Sequence, residues 1–287
     1  MIALLKNEVL YMLEQQRGSI VTGGQLASSL EVSRTAIWKA IRSLQDEGNE
    51  IVSIPNIGYS LMDTNDTLFG KIIRDNLTTT FIGQSMTVLS SVHSTNQYLK
   101  EMDTTDMPGG YVVIADEQTS GRGRRNRTFL SPKSKGVYLS ILLKPDGLAN
   151  DVRLLTICAA VAVSKAIEKV CDIKAEIKWV NDVYCNGKKI CGILTEAIIS
   201  GELQELSTVI VGIGINTGNV PFEITDIATS VQEEAGMRGI RNRLAAEVLN
   251  QFETIYLDYV EREEKQRIIK YYESRLFITG INKRHKS

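Results

Sequence analysis

Residues 188–218 read KKICGILTEAIISGELQELSTVIVGIGINTG, two apolar, β-branched runs joined across Ser200, Gly201 and Glu202. Runs of this kind on either side of a short glycine-containing break predict a β-hairpin. A hairpin pairs its strands antiparallel, which argues against a doubly wound parallel sheet and for an α+β domain. Outward from it, MTVLSSV, YVVIADE, VYLSILLK and EIKWV read as further strands, and Asn96–Glu101, Asp151–Val170 and Arg241–Tyr272 as helices. The expected domain is a mixed, largely antiparallel sheet with helices on one face. GIGINTG superficially suggests a dinucleotide-binding loop, but its third glycine is displaced by one position and no βαβ unit follows.

At 287 residues the chain has room for two domains, and 43% hydrophobic with 23% charged residues is ordinary globular composition. The start, MIALLKNEVLYMLEQQRG, carries polar residues within its apolar stretch and reads as an amphipathic helix, not a signal peptide. No apolar run reaches the length of a membrane span, so a cytoplasmic protein is expected. Cys158, Cys171, Cys185 and Cys191 form no CxxC pair, and with only His93 and His285 beside them no zinc set assembles. They read as reduced structural thiols. The scarcity of histidine also argues against Ser-His-Asp or Cys-His catalysis.

The N-terminal sixty residues carry a different pattern. A first helix with Ile2, Leu5, Val9, Met12 and Leu13 inward precedes GGQLASSLEVSRTAIWKAIRSLQDEGNEI. There a short helix around Gln25–Leu30 is followed by a longer one that Ser33 can cap, with Ile37, Ile41 and Leu44 as its buried stripe. Ile51–Leu61, with Pro55, Asn56 and Gly58 in the middle, reads as a β-hairpin wing. Together these predict a winged helix-turn-helix DNA-binding domain over 1–62 and a polar linker over 63–67, with Ser33, Arg34, Thr35, Trp38, Lys39 and Arg42 as the DNA-contacting candidates. Five basic against six acidic residues leave this domain at minus one, so a monomer makes few phosphate contacts and a dimer is needed to double them. The alternative is a helical cap that only packs on the second domain.

Between Asp116 and Gly136 lies DEQTSGRGRRNRTFLSPKSKG, with six basic side chains and, after Glu117, no acidic one until Asp146. Gly121 and Gly123 permit close backbone approach, and Arg122, Arg124, Arg125 and Arg127 offer forked donors suited to phosphate and carboxylate. The plainer alternative is a solvated basic loop. No Walker A motif occurs, so a nucleotide would be held by this loop.

GRGRRNR at 121–127 closely resembles the GRGRRGR signature of biotin protein ligases. KWVND at 178–182 resembles their KWPND, KKICGIL and GIGIN match their lysine segment and glycine-asparagine turn, and STN at Ser94–Asn96 completes the set in order. The resemblance extends from about residue 1 to residue 280, and its N-terminal part is similar to bifunctional members that also repress the biotin operon. It implies the class II synthetase-like biotin/lipoate ligase fold, a catalytic domain over 68–275, and a remnant of the family's C-terminal β domain at 276–287. The implied reaction joins biotin to ATP as biotinyl-adenylate and transfers biotin to a lysine of a biotin carboxyl carrier domain, of acetyl-CoA or pyruvate carboxylase. Operator DNA and a ligand-induced homodimer are the other implied partners.

On the family's pattern Lys189 and Arg124 are catalytic. Ser94, Thr95, Asn96, Gln118, Gly121, Arg122 and Gly192, with Arg124 and Lys189, bind biotin; Arg127, Phe129, Asn181, Asp182, Gly212, Gly214 and Asn216 complete the ATP and adenylate site. Magnesium would neutralise the polyphosphate, with Asp182 as its ligand. Read without the resemblance, Asn181-Asp182 is a turn and STN an ordinary helix N-cap. The chain departs from the pattern at Asn126, Val180 and Phe129, where the family carries glycine, proline and, in some members, tryptophan. A lipoate ligase, and a repressor that binds the adenylate without transferring it, are the competing readings.

Overall fold

The computed structural model describes residues 2–104, 106–144, 152–200, 205–260 and 264–277. The predicted turn at 200–202 and most of the 276–287 remnant fall largely outside them.

The N-terminal region folds as three helices and a wing: α1 (Ile2–Gln15), α2 (Gly23–Ser29), α3 (Arg34–Asp46), β1 (Ile51–Ile54) and β2 (Gly58–Leu61). Thr22 and Gln25 form a reciprocal capping box at α2, and Ser33 caps α3 by accepting the Ala36 amide at 3.2 Å. Its core gathers Val9, Leu13, Leu26, Ile37, Ile41, Leu44 and Leu61. Leu10 is buried where Met12 was expected, and Met12 and Leu5 only lean on the cluster, because the helix turns its inner face slightly from the predicted stripe. At the wing, Gly58 comes so close to Val21 that a Cβ there would sit 2.4 Å from the Val21 carbonyl oxygen.

A seven-stranded sheet makes the rest: β3 (Met86–Leu89), β4 (Val112–Ala115), β5 (Gly136–Leu143), β6 (Glu176–Lys178), β7 (Asp182–Cys185), β8 (Lys188–Ser200) and β9 (Glu205–Asn216). The order is β3-β4-β5-β9-β8-β7-β6, and only β3 and β4 pair in parallel. The β8–β9 hairpin is the longest ladder, from Cys191↔Ile215 to Ser200↔Glu205. The helices are α4 (Gly70–Asp75), α5 (Thr95–Glu101), α6 (Val152–Cys171), α7 (Val231–Ala235), α8 (Arg241–Val260) and α9 (Lys265–Ser274).

Helices cover both faces, not one. Strand side chains alternate, so Val112, Ile114, Leu139 and Ile141 pack with α6 and α8, while Val113, Leu142 and Ile210 meet Leu99 of α5 on the other side. The single helix expected over Arg241–Tyr272 is two, α8 and α9, and the run EREEK between them offers no apolar stripe to continue the first. Asp182 begins β7 and so does not lie in the turn itself.

The segment between the two cores is held, not free. Asn65 is 1% exposed, and Arg17 donates to the Asp63 and Asn65 carbonyls. Lys71 pairs with Glu8 at 2.9 Å, and Arg238 with Glu50 at 3.1 Å.

Candidate active site

The basic stretch between β4 and β5 is an ordered ribbon. Gln118 bridges Ser131, Arg122 bridges Thr128, and the tip is a helical turn at Arg124–Asn126 in which Arg125 takes φ 56°. The left-handed backbone of this turn falls on Arg125. Gly121 does not line the cavity below. It is buried in the ribbon, where a Cβ would stand 2.3 Å from the Phe129 carbonyl oxygen, so its role is to let the two arms meet.

Beneath the ribbon lies a cavity of about 550 Å³. Every other predicted biotin or adenylate residue lines it: Ser94, Thr95, Asn96, Gln118, Arg122, Arg124, Arg127, Phe129, Asn181, Asp182, Lys189, Gly192, Gly212, Gly214 and Asn216. Trp179, Leu130 and Ile227 join them unpredicted. The Trp179–Val180 peptide is cis.

One end of the cavity is neutral and internally wired. Gln118 Oε1 accepts the Thr95 amide at 2.9 Å and its hydroxyl at 3.1 Å, while Gln118 Nε2 donates to Ser131 at 2.9 Å. Ser140, fully buried on β5, lies 2.7 Å from Thr95 Oγ1 and 2.6 Å from Asn96 Oδ1. Asn96 Nδ2 donates to Glu196 at 2.8 Å and to the Leu194 carbonyl at 3.2 Å, and Lys100 closes on Glu196 at 2.6 Å. A Cβ on Gly212 would fall 2.2 Å from Asn96 Oδ1, so glycine there is what admits this side chain. Asn96 thus braces the pocket wall. Ser131, Ser140 and Glu196 were missed by sequence reasoning, though a serine in YLSILL and a glutamate in ILTEAII are conspicuous interruptions of apolar strands.

The other end is charged. Lys189 Nζ sits 2.8 Å from Asp182 Oδ1, with the Phe129 ring 5.9 Å away. Phe129 packs close against the glycines: a Cβ on Gly214 would meet its ring at 2.4 Å and one on Gly192 at 3.1 Å. The backbone of Lys189 is clasped by the segment 227–229, donating to the Ile227 carbonyl at 3.0 Å and accepting from the Thr229 amide at 2.9 Å. Asn216 donates to the Thr229 carbonyl at 3.0 Å and steadies the same segment. Arg122, Arg124, Arg125 and Arg127 are all exposed, and Arg124 reaches Asn181 at 3.2 Å.

Among the described residues no cluster of three or more His, Cys, Asp or Glu side chains could hold a metal. Asp182 with Asn181 offers one carboxylate and one carboxamide, which suits a magnesium ion that keeps water and phosphate ligands rather than an all-protein cage. The four cysteines are buried, and burial pushes the Cys158 and Cys185 thiols up to about 12. No described helix is long and apolar enough to cross a membrane.

On α3, Arg34, Thr35, Trp38, Lys39 and Arg42 are exposed. Arg34, Trp38 and Arg42 line a groove of about 630 Å³ between α3 and the wing, and Arg42 stacks over the Trp38 ring at 5.6 Å. Ser33 contributes to this surface by capping the helix.

Comparison with known proteins agrees with both halves. The model of the biotin/lipoate A/B protein ligase family matches residues 88–216, and a helix-turn-helix domain model matches residues 6–60. The bifunctional ligase/repressor BirA of Bacillus subtilis (strain 168) is 36% identical over 260 residues, 89% of this chain and 79% of that protein. Its counterpart from Escherichia coli (strain K12) is 32% identical over 248 residues, 86% of this chain and 75% of that one. The biotin protein ligase from Aquifex aeolicus, solved in complex with biotin and ATP, superposes with a TM-score of 0.60 at 32% identity, covering 68% of this chain and 79% of that one. With these relatives matched across both cores, the chain belongs to the family of bifunctional biotin ligase/repressors.

Proposed function

We propose that the chain activates biotin with ATP, transfers it to a lysine of a biotin carboxyl carrier domain, and represses biotin genes as a ligand-induced dimer. The observation that carries this reading is the polarity of one cavity: a neutral, wired end faces a cationic end whose lysine stands 2.8 Å from Asp182. Biotin's ureido head needs matched donors and acceptors, since an unpaired buried polar group costs on the order of 1–3 kcal/mol. Its carboxylate and the ATP polyphosphate are both anions and need cations.

In the first step a carboxylate oxygen of biotin attacks the α-phosphorus of ATP, the bond to the β-phosphate breaks, and pyrophosphate leaves. Lys189 bridges carboxylate and α-phosphate; Arg122 sits near the carboxylate and Arg127 near the polyphosphate. Asp182 and Asn181 would hold a magnesium ion, which would supply charge neutralisation for the polyphosphate. Arg124 closes the ribbon over the adenylate. In the second step a carrier lysine amine attacks the acyl carbon and AMP departs.

The near-neutral winged helix suits DNA binding only in pairs, where two α3 helices read two half-sites. Incubation with ATP, magnesium and labelled biotin should yield bound adenylate, then label on a carrier domain. Gel shifts on an inverted-repeat operator should need both biotin and ATP. Lipoate supporting adenylate formation as well as biotin, or equal DNA binding without ligand, would overturn the respective half.

A further inference from the structure

We propose that Arg241 is a positioning residue: it sets the stance of the arginine ribbon and ties it to the segment arriving from the winged helix. Arg241 is the first residue of α8, its side chain is 0% exposed, and neither it nor its partners line the cavity. Its Nη1 lies 2.7 Å from Asp116 Oδ1 and 2.9 Å from the Asp66 carbonyl oxygen, and its Nε donates to the Gly136 carbonyl at 2.7 Å. Its own amide donates to Asp66 Oδ1 at 2.9 Å.

Asp116 and Gly136 are the two feet of the ribbon. Arg241 therefore fixes their separation, and Ser134 reinforces it by donating Oγ to Asp116 at 3.1 Å. Above those feet the ribbon's charge is lightly held: among the described residues the one side-chain hydrogen bond made by its arginines is Arg124 to Asn181. A buried guanidinium is a costly way to join apolar elements, and its use points to a requirement for a defined register. The third arm, Asp66, lies on the segment 63–67 that leaves the winged helix, so a displacement there acts on the ribbon without touching the cavity. This inference rests on the ribbon being the adenylate loop, which its test keeps separable.

The test uses the full chain with Arg241→Lys, which keeps the charge and loses the fork, Asp66→Ala, and Asp66→Asn, which can still accept the Arg241 amide. Two readouts are taken: trypsin cleavage within 122–127 of the folded, ligand-free protein, and KM for biotin against kcat for adenylate formation. Arg241→Lys should raise both cleavage rate and KM about tenfold with kcat within about threefold, Asp66→Ala should raise both about threefold, and Asp66→Asn should match the parent. Should Arg241→Lys fail to fold, Asp66→Ala decides alone. Parental cleavage and KM in the folded Arg241→Lys or in Asp66→Ala, or a loss confined to kcat, would overturn the proposal. A parent that makes no adenylate defeats the ligase reading instead, and the cleavage readout still judges Arg241.

Discussion

The two ends of the cavity handle polarity in opposite ways. At the neutral end Thr95, Gln118, Ser131, Ser140 and Asn96 hydrogen-bond chiefly to one another and to strand backbone, and Asn96 and Ser140 are buried. At the charged end the four arginines of the ribbon are exposed, and Lys189 and Asp182 are paired side by side. A neutral ring is recognised by donors fixed in advance, because each misplaced one leaves a buried group unsatisfied. An anion that changes charge distribution during reaction is served by cations that can close on it. The difference predicts that mutations at the two ends separate affinity from chemistry and retention.

Lys189→Ala should produce the largest effect, a loss of about a thousandfold in adenylate formation with little change in Tm, since it removes the cation that the proposed mechanism sets between both reacting anions. Single-turnover measurement with labelled ATP checks it. A rate within threefold of the parent would show that the charged end is not where the chemistry is stabilised, and the contrast would collapse.

Arg124→Gly should act on retention. Adenylate should still form but leave roughly a hundredfold faster, labelling bystander lysines, because an exposed ribbon side chain contributes closure and not chemistry. Trapping released adenylate against time measures this. Complete loss of synthesis would move Arg124 into the reacting centre.

Ser140→Ala should raise KM for biotin about tenfold and leave KM for ATP alone, since it deletes a buried hydroxyl that joins Thr95 to Asn96 and strands their oxygens. Equal effects on both substrates would mean that the neutral end is not dedicated to the ureido head.

How much of this was legible follows the same division. The charged end is legible as a local cluster, because its arginines, glycines and lysines stand within a few residues of one another in GRGRRNR and KKICGIL, although the first run alone also reads as a solvated loop. The Ser33 cap and the β8–β9 hairpin are local signals, written within a few residues of where they act. The neutral end is non-local: Ser140, Asn96 and Glu196 come from β5, α5 and β8, and nothing in their neighbours specifies that they meet. Arg241 reads from sequence as a surface residue at a helix start, and only the topology brings Asp66, Asp116 and Gly136 around it. Helices were expected on one face alone, and α5 covers the other, because a four-residue strand such as Val112–Ala115, buried throughout, does not say that both of its sides are covered.

The smallest expected effect concerns the cavity floor. Cys191 precedes Gly192 on β8, directly below the Lys189 end, is fully buried, and burial pushes its thiol above the usual range. If the floor is as rigid as the neutral wall, iodoacetamide at pH 8 should leave the folded protein's adenylate synthesis within experimental error of untreated protein, while the unfolded chain reacts at all four cysteines. Alkaline stability should report the same burial. Thiols whose folded pKa is raised, such as Cys158 at about 12 against an ordinary 9.0, contribute stability that is complete below the ordinary value and is lost as pH rises toward the folded one. Tm should therefore fall between those limits and fall less in Cys158→Ala, after allowing for that variant's lower baseline. Inactivation by iodoacetamide with one modified residue at Cys191 would mean that the floor opens on the time scale of minutes. In that case the strand beneath Lys189 is not the closed floor that the burial of Cys191 describes.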